Sequence, residues 1–360
     1  MPNATEHLAP GRKRASSGTR PSSGATIEQA QIYGLAEYQA FMDHVNQVAD
    51  DPTNRLRRIA QRLPVGPLLK PLAPPPTEQA IEKLMERFPN HQAALEHLRE
   101  QAALSRVAGS GMRLQPLLLV GEPGTGKTML TRSLAEELSV PMHLVGMSHS
   151  TCGFMLGGLD AGWSSGRPGL PFESLAWGPV ANPVFVLDEI DKTSSDDRHS
   201  PLGALYSLLE SSTARSFVDE MMRPLSVDAR QIVWVATANS LDSVPRPLLS
   251  RLHVVHVQVP TASQMAAVLR SVWFELLDSE PWWGDLFDRN IGASTIAALS
   301  GVTSLREAAH RLRRAAARAA IAGRRHVLPE DVPAVSRDVD FASARPIGFL
   351  HTQATFQLLT

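Results

Sequence analysis

The run Gly121-Glu122-Pro123-Gly124-Thr125-Gly126-Lys127-Thr128 has the residue types and spacing that cradle a chain of phosphates. Glycines let backbone N–H groups converge on an anion at a helix N-terminus, a lysine reaches the outer phosphates, and a threonine hydroxyl is a ligand for Mg²⁺. Met129 begins the helix that must follow. Downstream, Asp188-Glu189 ends the apolar run Pro183-Val184-Phe185-Val186-Leu187. An acid at that point can order Mg²⁺ directly or through water, and a second acid one residue on can polarise an attacking water. A third apolar run, residues 232–236, leads into Thr237-Ala238-Asn239, where the Asn239 amide can position that water against a terminal phosphate. Arg246 and Arg251 precede the next apolar run. An arginine there is badly placed for its own phosphates and well placed for those of a neighbouring subunit, so Arg251 is a candidate arginine finger and Arg246 a weaker second one.

These groups need an open sheet with its strand ends at the ligand. Five strands are expected at 117–120, 142–145, 184–187, 232–236 and 254–258, separated by helical crossovers. Short continuous apolar runs signal strands buried on both faces, and right-handed crossovers then give an α/β fold, a parallel sheet with helices on both faces. Ligands of such sheets sit at the carboxyl ends of the strands, where Asp188 and Asn239 fall.

From about Thr261 the pattern turns helical, with residues 305–322 rich in alanine and carrying Arg311, Arg313, Arg314 and Arg318. The alanines suit close helix packing and the arginines a solvated or intersubunit face. Before the α/β part, residues 1–25 read as a disordered basic arm. Residues 26–76 read as a small helical extension, with Ile32, Leu35 and Tyr38 at helix spacing, followed by a stiff proline-rich linker. Asn90 is expected to cap the helix that leads to the first strand. The domains are therefore expected at 77–260 for the nucleotide-binding α/β unit, 261–336 for a helical lid and 337–360 for a tail.

Taken in order, the motifs resemble those of an AAA+ ATPase, and within that superfamily they are most similar to the ATPase module of the Lon proteases. The similarity rests on the segments Val184 to Lys192, Ala236 to Ser240 and Pro247 to Leu252, and it covers residues 87–335. It implies the strand order 5-1-4-3-2 and the cofactors ATP and Mg²⁺. It also implies a homo-oligomeric ring, six-membered in the family, acting on a protein substrate. Residue by residue, Gly121 to Thr128 match Walker A, Asp188 and Glu189 Walker B, Asn239 sensor 1 and Arg251 the arginine finger.

The sequence departs from Lon in three places. Little more than a short tail follows the lid, so a Lon peptidase domain is not expected and any peptidase would be a separate partner. At the expected sensor 2 arginine stands Thr303, and Arg306 lies nearly one turn further on. The substrate-gripping aromatic is not in its usual wording; Trp163, in Trp163-Ser164-Ser165-Gly166-Arg167-Pro168-Gly169, is the residue that best fits it.

Composition narrows the alternatives. A formal net charge of −1 argues against a surface built for nucleic acid, although a motor acting on DNA or RNA stays open as a rival, as does a nucleotide-gated scaffold with little hydrolysis. The lone Cys152 excludes an internal disulfide and fits a reducing, cytoplasmic setting. Twelve histidines are scattered without metal-binding pairing, and no apolar run approaches the ~18–20 residues that span a bilayer.

Overall fold

The computed structural model describes residues 28–48, 55–148, 152–193, 201–279, 282–299, 301–302 and 304–333. The basic arm, the C-terminal tail and Thr303 lie outside the described residues.

The chain begins with β1 (Gln29–Tyr33), α1 (Leu35–Val48), α2 (Arg55–Ala60) and β2 (Leu68–Pro71), and β1 and β2 pair antiparallel. This differs from the sequence reading in two ways. Ile32 lies on a strand, and the proline-rich stretch contains another. Pro71 ends β2, and a residue without an N–H is tolerated at a sheet edge. Nor is the extension tethered loosely: Ile32, Tyr33, Phe41, Val45, Leu56 and Leu68 share one apolar core with Leu118, Phe185 and Trp234 of the central sheet. Backbone and amide bonds fix the junction, from Ala181 N–H to Pro71 O at 2.9 Å and from Ala73 N–H to Asn182 Oδ1 at 2.9 Å.

Helix α3 (Glu78–Arg87) starts at Thr77, whose Oγ1 accepts from Ala80 N–H at 3.2 Å. A 3₁₀ turn, Pro89–His91, feeds α4 (Gln92–Ala108), which ends at the left-handed Gly109. Asn90 therefore does not cap α4; its amide donates to Thr125 O at 3.0 Å and Gln258 O at 3.1 Å, tying the glycine-rich loop to the end of the last strand.

The α/β unit then runs β3 (Leu117–Val120), α5 (Lys127–Leu138), β4 (Met142–Gly146), α6 (Cys152–Gly157), α7 (Leu170–Trp177), β5 (Val184–Asp188), α8 (Leu202–Leu208) and α9 (Ser211–Ala214). A small hairpin of β6 (Phe217–Val218) and β7 (Ser226–Val227) precedes β8 (Val233–Ala238), α10 (Arg246–Leu249) and β9 (His253–His256). The five-stranded sheet is parallel throughout, in the order β4-β5-β8-β3-β9. Counting only its own strands from the other edge, that order is 5-1-4-3-2. Side chains alternate between two cores: Val184, Val186, Val233 and Val235 face α3 to α5, while Phe185, Leu187, Trp234 and Ala236 face the extension and α7 to α9.

Helices α11 (Ala262–Ser279), α12 (Trp283–Leu286), α13 (Ala293–Ala298) and α14 (Leu305–Ile321) form a third core around Trp273, Trp283 and Phe287. Ser304 caps α14 by accepting from Glu307 N–H at 3.2 Å. Two of the arginines read as solvated are structural: buried Arg311 donates to Pro333 O at 2.9 Å, and Arg318 donates to Asp331 O at 3.2 Å. Alanines at 308, 315, 316 and 319 leave the room that brings the Arg311 stem inside. No helix among the described residues is long and apolar enough to cross a membrane.

Candidate functional site

Between β3 and α5 the loop turns through Gly124 (φ 80°) and Gly126 (φ 93°), left-handed conformations that glycine adopts without strain. Gly126 precedes Lys127 with no side-chain cap, so the first N–H groups of α5 are free to meet an anion. The loop is braced from behind. Thr125 Oγ1 donates to Glu122 O at 3.0 Å, and Nε2 of the buried His91 lies 2.9 Å from Thr125 O.

The Lys127 ammonium donates to Gly121 O at 2.6 Å, Glu122 O at 3.0 Å and Asn239 Oδ1 at 3.3 Å. Its three donors are thus engaged, and burial lowers its pKa against the pull of Asp188, Asp191 and Glu189. A phosphate arriving here has to displace neutral acceptors only, an exchange that favours the anion.

Asp188, at the end of β5, sets its Oδ1 3.2 Å from Thr128 Oγ1 and 2.6 Å from Thr237 Oγ1. The same Thr237 hydroxyl accepts from Glu189 N–H at 3.0 Å, so one buried threonine orients both acids. Glu189 has φ 56°, a left-handed conformation uncommon outside glycine and asparagine, and such backbone strain concentrates at functional positions. Its carboxylate is paired with Lys192 at 2.8 Å. Asn239 is held by its backbone, which donates to Asp191 Oδ2 at 3.2 Å.

A cleft of about 370 Å³ therefore gathers Pro123, Gly124, Gly126, Lys127, Thr128, Met129, Asp188, Glu189 and Asn239 from three separate segments. Gly121, Glu122 and Thr125 stand behind it as the frame of the loop. Helices α11 and α14 close the other wall with Val272, Glu275, Leu276, Leu305, Arg306 and Ala309, a mostly apolar side with one carboxylate and one guanidinium. Arg306 lines the cleft despite lying beyond the expected position.

Three predicted residues are elsewhere. Arg251 is half-buried against α8 and α10, donating to Pro247 O at 2.6 Å and lying 3.7 Å from the Glu210 carboxylate and 5.3 Å from the Tyr206 ring centre. Arg246 is exposed at the start of α10. Trp163 is 66% exposed at the tip of a loop closed by the Leu159–Arg167 bridge. Sequence reasoning overlooked Thr237, Asp191 and His91. Only Thr237, a polar residue in the strand that ends at Asn239, left a signal that could have been read.

Residues 117–260 match the family model described as "ATPase family associated with various cellular activities (AAA)". The chain carries an AAA ATPase domain. Around that domain the sequence is 33% identical over 193 residues to a Lon protease of Brevibacillus choshinensis, covering 54% of this chain and 24% of that protein. It is also 33% identical over 154 residues to Lon protease 1 of Thermus thermophilus, covering 43% of this chain and 19% of that protein. The chain thus spans about a quarter or less of the length of these relatives. A closed-state cryo-EM reconstruction of Hsp104 with ATPγS and FITC casein superposes with a TM-score of 0.51 at 15% identity, over 68% of this chain and 48% of that one. At that identity the likeness is one of fold, and it agrees with the α/β architecture of the AAA domain.

Proposed function

We propose that this chain hydrolyses ATP with Mg²⁺, that it does so as a homo-oligomeric ring, hexameric in the simplest case, and that hydrolysis drives the remodelling of a protein substrate. One observation carries the reading: Thr128 and Asp188, sixty residues apart in sequence, put their oxygens 3.2 Å from each other at the mouth of a glycine loop whose lysine contacts Asn239. Hard oxygen donors at that spacing suit Mg²⁺, which when bound would neutralise charge developing on the phosphates.

The chain's own groups do the rest. Lys127 gives up Asn239 and the loop carbonyls to hold the outer phosphates, which frees the Asn239 amide to orient water. Glu189, turned by its left-handed backbone and fixed by Thr237, takes a proton from that water. Arg251, which does not line its own cleft, is offered to the phosphates of a neighbouring copy. Trp163, standing in solvent, is offered to the substrate chain.

The test is Glu189→Gln. ATP binding should persist while turnover falls by about 10²–10⁴-fold, the usual contribution of a general base. Unchanged turnover would remove Glu189 from the mechanism. The Lys192–Glu189 pair favours a second reading, a nucleotide-gated scaffold, because it holds the catalytic carboxylate engaged. Steady-state ATPase measurement on the assembled protein separates the two, since a scaffold turns over almost nothing.

A further inference from the structure

The extension meets the Trp163 loop at a second feature, remote from the nucleotide cleft. An open depression of about 570 Å³ lies between α2 and the base of that loop, with Arg55, Arg58 and Arg62 on one side and Arg167 on the other. All four arginines are exposed, and among the described residues none forms an ion pair within 4.0 Å. One carboxyl faces them, that of Glu173; burial raises its pKa, with Arg167 and Arg62 pulling the other way. Four arginines lining a hollow with one partly buried acid, which Arg167 and Arg62 both act on, leave it positive on a chain whose formal net charge is −1.

The hollow is also held in shape. Arg55 donates to Gly166 O at 3.1 Å, the Arg62 guanidinium stacks 5.1 Å over the Trp177 ring, and Trp177 Nε1 donates back to Arg62 O at 3.1 Å. Side chains pinned through their backbone and stems lose little freedom when an anion arrives.

We propose that this arginine-lined hollow docks an acidic segment of polypeptide and delivers it to the adjacent Trp163. Guanidinium forks match carboxylates two bonds at a time, so closely spaced Asp and Glu side chains complement the set. A nucleic-acid strand is the poorer fit. It needs a stacking surface for successive bases, whereas the loop here offers the single exposed Trp163 and the protein as a whole carries no positive field. Delivery to Trp163 rests on the remodelling reading above; binding of the acidic segment does not, and it is measured without nucleotide.

The experiment is fluorescence anisotropy of a short fluorescein-labelled peptide rich in Asp and Glu, titrated with the full chain in the absence of ATP. Binding should weaken as salt is raised, and a control peptide with Asn and Gln in place of the acids should not bind. The double variant Arg58→Glu with Arg167→Glu should weaken binding by at least about tenfold, the usual scale for setting like charges against each other, with basal ATP turnover and thermal midpoint unchanged. The proposal fails if the double variant binds as well as the parent, if the neutral peptide binds equally, or if a single-stranded oligonucleotide of equal charge binds more tightly than the peptide. Loss of ATPase activity with acidic-peptide binding intact would instead count against the motor alone.

Discussion

Because Thr125 O can only accept, Nε2 of His91 must carry the proton in their 2.9 Å contact, and Nδ1 is left as a buried lone pair without a partner. Burial lowers the His91 pKa to about 4, opposed by the bond to Thr125 and helped by nearby Lys127. The fold therefore wants the neutral ring, while the unfolded chain takes up a proton near the ordinary value of 6.5. Its contribution to stability is complete above pH 6.5 and is lost as pH falls toward 4, by up to about 3 kcal/mol. His91→Gln keeps a donor for Thr125 and removes the titration. The difference in denaturant midpoint between parent and variant should be flat above pH 6.5 and slope below it; parallel curves across the range would refute this account. None of this was legible in the sequence, where His91 was one of twelve scattered histidines and lies 34 residues before its partner Thr125, outside the glycine-rich motif that contains it. Lys127, Thr128 and Asp188 could be singled out because each sits in a short local pattern, a glycine-rich loop or the acidic end of an apolar strand, although the contacts that join them span 60 or more residues.

At the scale of elements, the Trp163 loop is fastened by a carboxylate outside it. Asp219, at the end of β6, is fully buried and accepts from Gly169 N–H at 2.8 Å and Met221 N–H at 2.9 Å. Burial pushes its pKa up to about 7 in spite of those donors. Asp219→Ala strands buried N–H groups at the root of the loop and should lower stability by about 2–5 kcal/mol. Limited proteolysis should then cut between residues 159 and 167 faster than in the parent; an unchanged rate would mean that the loop is fixed by other contacts. The strands of the central sheet could be read from their apolar runs, since burial on both faces demands them. The β1–β2 pair could not, because Leu68 to Pro71 sits in a proline-rich stretch and its partner lies on the far side of two helices. Local pattern favoured a linker, and long-range pairing overruled it.

For the molecule as a whole, the position of Arg251 is the feature that asks for company. Held by Pro247, Glu210 and Tyr206, it is set apart from the residues that line its own cleft. Arg251→Ala should leave ATP binding and assembly intact and cut turnover by about 10³-fold or more, the range associated with an arginine finger. Sizing the protein by light scattering with and without ATP checks the premise, for a species that stays monomeric at all concentrations gives Arg251 no phosphate to reach. The lid adds a further constraint. Leu305 N–H donates to Gly124 O at 3.1 Å, and Gly124 leaves only enough room for the Ser304 side chain beside it. Helix α14 is thus stitched by its first residue to the glycine-rich loop, with no slack between. In the proposed ring, whatever tilts that helix, whether a neighbour pressing on its outer face or a cargo under tension, would be felt at the glycine-rich loop, and the timing of bond cleavage would become something other subunits can dictate.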